Sequence, residues 1–153
     1  MHYQTTLTGI TPQQLVGFFQ GWPTSPDPDT LWLILKRSDF FVLAVNEEKQ
    51  GVGLINAITD RVFYAYIPLL EVLPQYQKQG VGEALMRRMK TLLASFYAID
   101  LCCDPTLSAY YQKQGFSEVS GMILRNYAHQ TGMSLQESSS RNAKSSQGLA
   151  ADS

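Results

Sequence analysis

The stretch LEVLPQYQKQGVGEALMRR, residues 70–88, decides how this chain is read. An apolar run stops at Pro74, passes through Gln-Lys-Gln-Gly-Val-Gly and becomes an amphipathic helix. The start of a helix leaves backbone N–H groups unpaired and carries partial positive charge, which makes it a ready anion site. Glycines there let a phosphate approach the backbone without meeting a Cβ. Gln79, Gly80, Val81 and Gly82 therefore suit a phosphate or diphosphate held on main-chain amides, with Lys78 as a neighbouring cation. An ordinary strand-to-helix turn is the plainer alternative. The stretch is not a P-loop, because no Gly-Lys-Ser/Thr follows. It also lacks the third glycine and the downstream acid of the dinucleotide fingerprint.

Upstream lie three β-rich runs, DFFVLAVNEE, GVGLINAITD and VFYAYIPLLEVLP. EKQG and TDR separate them as tight turns, so an antiparallel meander is expected. Before it, residues 2–8 read as a first strand. Thr11-Pro12 opens a helix that carries Leu15, Phe18 and Phe19 and ends at Gly21, and a second helix spans about Asp29 to Lys36. Downstream, Val81, Leu85, Met89 and Leu92 form one stripe of a helix from about Gln79 to Ala94. FYAIDLCC reads as a buried strand. Asp104 caps a helix that ends at Gly115, and FSEVS and MILRNY read as two last strands.

The composition sets bounds on the class of protein. The 153 residues suit one domain, and 44% hydrophobic residues suit a packed core. A net charge of −1 argues against nucleic acid as a partner. The longest apolar runs, LWLIL and FFVLAV, are too short to span a bilayer. The polar start lacks the pattern of a secretory signal. Cys102 and Cys103 are adjacent and without framework spacing, which points to a reducing, cytoplasmic setting. After Tyr127 the sequence is Ser-rich and free of aromatics, so residues 1–127 are expected to form the domain and 128–153 a flexible tail. A short ordered piece is allowed near Met133 to Leu135.

Two motifs carry a resemblance. Gln77-x-x-Gly80-x-Gly82, following a strand and opening a helix, resembles the acetyl-CoA signature of the GNAT superfamily of N-acetyltransferases. Asp104-Pro-Thr-Leu-Ser-Ala-Tyr-Tyr111-Gln-Lys-Gln-Gly115-Phe116 resembles the family's N-x-x-A-x-x-L-Y-x-x-x-G-F helix, with Asp104 for Asn and Tyr110 where Leu is commoner. The resemblance implies an α/β (α+β) single domain, a mixed and mostly antiparallel sheet flanked by helices. It implies acetyl-CoA as co-substrate, its diphosphate on Gln77 to Gly82 and its pantetheine beside Val72 and Leu73, where one N–H can polarise the thioester carbonyl. The strands ending at Leu73 and at Asp100–Cys103 are expected to splay apart. Dimers formed through the C-terminal strands are common in the family, so a homodimer is allowed.

The resemblance places Tyr111 at the family's general-acid tyrosine. Tyr111 can protonate the departing thiolate, orient the sulfur, or simply pack. The acceptor amine needs the opposite help. With a pKa near 10.4, its deprotonation at pH 7 costs about 4.6 kcal/mol. Glu71, an acid inside IPLLEVLP, is the candidate base because burial raises a carboxyl pKa. A substrate anchor or a satisfied buried carboxylate are the other readings of Glu71. Trp22, Tyr64 and Tyr66 are candidates to line the acceptor side. No histidine lies near Cys102 and Cys103 to activate them, and no ligand pair has zinc spacing. The expected reaction is direct acetyl transfer to a primary amine, and the chain's size favours a small-molecule acceptor. Transfer of a longer acyl group, a non-catalytic acyl-CoA-binding or regulatory module, and a nucleotide-binding domain are the rivals.

Overall fold

A computed structural model of the chain describes residues 1–133, 136–137 and 139–140. The expected meander is present as β2 (Phe40–Val45), β3 (Gly51–Thr59) and β4 (Tyr64–Val72). Asn46 closes the first turn: its side-chain oxygen accepts the N–H groups of Glu48 and Gln50 at 3.0 and 2.8 Å. Asp60 closes the second by accepting the N–H groups of Val62, Phe63 and Tyr64. Strand β1 (His2–Gln4) pairs with β2, and β5 (Ala98–Asp100) runs parallel to β4. The sheet order is β1-β2-β3-β4-β5, with all other neighbours antiparallel. This is the mixed, mostly antiparallel sheet that the sequence predicts.

Each face of the sheet has its own core. Helix α2 (Val81–Leu92) lays Val81, Leu85, Met86 and Met89 on Val42, Ala44, Ile55, Ala57, Ala65 and Ile67. Gly53 is what lets it come so close: a Cβ there would lie 3.1 Å from both Leu85 Cδ1 and Val81 Cγ1. On the other face, α1 (Pro28–Arg37) buries Leu31 and Leu35 with Leu15, Phe18 and Phe19 against Leu43, Val45 and Leu54. Asp27 caps α1 by accepting the N–H of Thr30 at 2.7 Å.

A bulge in β4 sets the geometry of everything beyond it. Asn56 pairs with Leu69 and Ile58 with Tyr66, so Ile67 and Pro68 together stand opposite Ala57. Pro68 has no N–H to give the ladder, and a bulge is where a strand tolerates it. Buried Asn56 repairs the gap: it accepts the Leu69 N–H at 3.1 Å and donates to Ser38 Oγ at 2.8 Å.

Several sequence expectations are corrected. The helix expected from Thr11 is one 3-10 turn, Pro12–Leu15: Val16 is already extended (ψ 144°), and Gly17 (φ 98°) and Phe19 (φ 61°) then leave the right-handed region. Leu15, Phe18 and Phe19 are buried all the same. The first strand is three residues long instead of seven. The strand read in FYAIDLCC is also three residues, part-exposed, with both cysteines exposed. The helix after Asp104 divides into a 3-10 turn, Pro105–Leu107, and α3 (Ser108–Lys113), and the Asp104 side chain makes no capping bond. The two last strands are absent: residues 116–126 carry no regular structure, and Val119, Met122 and Leu124 face solvent. Strand propensity alone does not make a ladder when no partner edge is engaged. Ser134, Leu135, Ser138 and 141–153 lie outside the described residues, and with them most of the expected tail. Within its described part, Gln130 accepts a hydrogen bond from Thr24 at 3.0 Å.

Candidate active site

The site forms where β4 outlives β5. The two strands pair only from Tyr64–Ala98 to Tyr66–Asp100, whereas β4 continues to Val72. Beyond Tyr66, then, among the described residues β4 has a strand on the β3 side alone. Main-chain groups in an antiparallel ladder point alternately to the two edges. Leu73 N–H donates to Val52 O at 2.9 Å, which fixes the phase. Leu73 and Glu71 turn their main-chain groups to β3, and Leu70 and Val72 turn theirs to the open edge. The N–H turned to the open edge is therefore that of Val72, not that of Leu73. Leu73 instead buries its side chain against Gly17.

Past Pro74 the chain enters the glycine loop. Gly80 (φ 79°) is the left-handed residue just before α2, and Lys78 (φ 59°) shares that backbone region. A Cβ at Gly80 would meet nothing within 4 Å, so the requirement there is conformational and the approach to the backbone is open. The glutamines act inward. Gln77 Nε2 donates to Val72 O at 2.9 Å and Gln79 Nε2 to Gln75 O at 2.8 Å, which braces the loop against the strand end. The first helical bond runs from Ala84 N–H to Gly80 O. The N–H groups of Val81, Gly82 and Glu83 precede it and are the free donors of the first turn.

The bulge carries Glu71 to the α1 face. Its Oε1 accepts the Phe19 N–H at 2.6 Å, across 52 residues of sequence. Among the described residues its other oxygen has no hydrogen bond and no cation pairs with it. Burial pushes the Glu71 carboxyl above its ordinary value, and the Phe19 N–H pulls against that. Trp22 reaches the same place through Phe19, ring centroids 5.0 Å apart. Tyr64 and Tyr66 lie further back on β4. Burial and then the neighbouring Asp100 raise the Tyr64 phenol, while Cys102 first and burial second raise that of Tyr66.

Tyr111 is part-buried on α3, packed edge-on against Tyr110 at 5.0 Å and Phe116 at 6.0 Å. Burial, helped by Tyr110 and Cys103, pushes its phenol up to about 12. Near neutral pH it therefore stays protonated and keeps an O–H to donate. A thiol of ordinary pKa near 8.5 is roughly three units more acidic, so Tyr111 is suited to hydrogen-bond a thiolate more than to surrender its proton to one.

The sequence reading missed three features here: the Asn56 clamp at the bulge, the Phe19–Glu71 bond, and the inward role of the glutamines. Only the first had a local signal, a proline inside a strand pattern.

An open strand edge running into a glycine-lined helix start is an arrangement that can take an acyl-CoA-type donor. The residues fit such a donor: the first-turn N–H groups of α2 and the Val72 N–H have no partner among the described residues, and a Cβ at Gly80 would meet nothing within 4 Å. The sequence pattern of the acetyltransferase (GNAT) domain matches residues 11–137. The chain belongs to the GNAT acetyltransferase family.

A structure from Deinococcus radiodurans R1, assigned as an acetyltransferase, is 45% identical, with TM-score 0.85 over 87% of this chain and 93% of that one. A GNAT family protein from Streptococcus pneumoniae, 24% identical, shares the fold with TM-score 0.66 over 82% of this chain and 98% of that one. In soybean (Glycine max) the "Probable acetyltransferase TAP2" is 33% identical over 110 residues, 63% of this chain. This chain spans only 44% of that relative's length. Among the described residues no helix is long and apolar enough to cross a membrane.

Proposed function

We propose that the chain transfers an acetyl group from acetyl-CoA to a primary amine, by direct attack within one ternary complex. The observation that carries this reading is the unpaired edge of β4 beyond Tyr66, which leads straight into the Gln77–Gly82 loop. Leu70 and Val72 would bind the pantetheine amides as a strand neighbour does. Val72 N–H would polarise the thioester carbonyl. The free N–H groups of Val81 and Gly82, with Lys78 beside them, would hold the diphosphate. The donor supplies an activated acyl carbon, and the protein supplies alignment and two proton-handling groups.

Glu71 is the base. Its free oxygen takes the ammonium proton, and its bond to Phe19 fixes the carboxylate while holding the Phe19–Trp22 turn over the acceptor side. Tyr111 stabilises the departing sulfur by donating a hydrogen bond. The acceptor amine is then bounded by Trp22 on one side and by Tyr66 and Tyr64 along β4.

Calorimetric titration is the direct test of the donor. Acetyl-CoA is expected to bind with a micromolar Kd and ATP and NAD not to bind. Absence of acetyl-CoA binding would overturn the reading, and acetyl-CoA binding without turnover on a broad amine panel would favour a regulatory module. Tyr111→Phe is expected to lower kcat by about 10–100-fold with little change in the acetyl-CoA KM, as for loss of one transition-state hydrogen bond. An unchanged kcat would make Tyr111 a packing residue.

A further inference from the structure

Tyr110 and Tyr111 are neighbours on α3, but their hydroxyls meet different surroundings. Tyr111 packs with Phe116 on the core beneath α2. The Tyr110 hydroxyl reaches instead to the junction of β4 and α2. A Cβ built on Gly82 would lie 3.5 Å from it and 3.8 Å from Val72 Cγ2. The hydroxyl oxygen is sealed from solvent and, among the described residues, has no hydrogen-bond partner. A hydroxyl in that state has lost its water and gained nothing in return. Burial, and then the charge of Glu83, raise its pKa, so it is a neutral donor. Packing alone would be better served by an apolar side chain, and leucine is commoner at this place in the family motif.

We infer that Tyr110 is a donor-binding residue of this chain: its hydroxyl donates to a phosphate oxygen of the CoA diphosphate seated on the first turn of α2. The inference rests on the acyl-CoA reading proposed above. It adds to the backbone cradle a side-chain donor from a different element. The phosphate supplies the acceptor that the protein withholds, so α3 closes on α2 through the ligand.

The test compares wild type with Tyr110→Phe, using calorimetric titration with CoA and thermal melting without ligand. Removing an unsatisfied buried hydroxyl is expected to leave the unliganded melting temperature unchanged or higher. The same change is expected to raise the Kd for CoA roughly tenfold, the loss of one hydrogen bond to a charged group. An equal Kd for the two proteins overturns the inference while leaving the donor reading intact. A melting temperature several degrees lower in the variant also overturns it, by making Tyr110 a packing residue. Failure of wild type to bind CoA removes the donor reading itself.

Discussion

Glu71→Gln is expected to lower kcat/KM at neutral pH by about 10²–10⁴-fold, the range for losing a positioned general base. Glutamine is nearly isosteric and its carbonyl can still accept the Phe19 N–H, so the Phe19–Trp22 turn should keep its place. What is lost is the basic oxygen. The sign of the pH effect follows from burial. Desolvation raises the folded-state pKa of Glu71 above its usual 4.5, which brings the carboxylate closer to the pH at which it must take a proton. In wild type, kcat/KM should therefore rise with pH through this raised pKa, and in Glu71→Gln that limb should disappear. Stability moves the opposite way. A carboxyl with a raised folded pKa favours folding below its unfolded pKa, and that contribution is lost as pH rises through the folded value. Glu71→Gln should thus be no less stable than wild type at neutral pH. A variant with the same rate across pH 6–9 would exclude Glu71 as the base. A uniformly slower variant whose pH profile keeps its shape would make Glu71 an anchor for the turn instead.

The fold was largely legible because its strongest signals are local and periodic. Asn46 and Asp60 close turns with their own side chains, and the Val81–Leu85–Met89 stripe needs only helical spacing. The glycine loop was legible for the same reason: it is a backbone requirement written in residue type. What escaped depends on partners distant in sequence. Phe19 takes a left-handed conformation beside a bond to Glu71, 52 residues away, and within residues 11–21 only Gly17 offers a local sign that the helix ends early. The bulge is subtler. Strict alternation along β4 puts Glu71 on the face of Ala65 and Ile67, which pack beneath α2. The extra residue at Ile67–Pro68 moves it to the opposite face and brings Leu70 and Val72 to α2 instead. Choosing between Leu73 and Val72 as N–H donor likewise needs the phase of the ladder, which only the Leu73–Val52 bond reveals. Residues 116–126 mark the opposite failure, where apolar alternation predicted strands that find no edge to join.

Leu85→Ala is expected to destabilise the fold by about 3–4 kcal/mol, within the span observed for buried leucines. Leu85 is fully buried at the centre of α2 and touches the site of the missing Cβ at Gly53. The close approach made possible by that glycine is also why the hole would not refill. The helix already lies as near the sheet as its backbone allows, and the facing residues Val42, Ala44 and Ala57 are too short to reach in. Against a total stability of about 5–15 kcal/mol, the loss should lower the melting temperature by roughly 10 °C for a domain of this size. Urea titration should show a lower midpoint with an unchanged slope, because the same surface is exposed on unfolding. The variant also separates the two duties of α2, packing and anion binding. Its first turn is fixed by Gly80 and by the hydrogen bonds of Gln77 to Val72 O and of Gln79 to Gln75 O, which do not involve Leu85. Below its melting transition the variant should therefore bind acetyl-CoA within about threefold of wild type. A destabilisation below 1 kcal/mol would mean that α2 does not pack on β3 as described. A large loss of acetyl-CoA affinity in the folded variant would mean that the donor site depends on the depth to which α2 is seated.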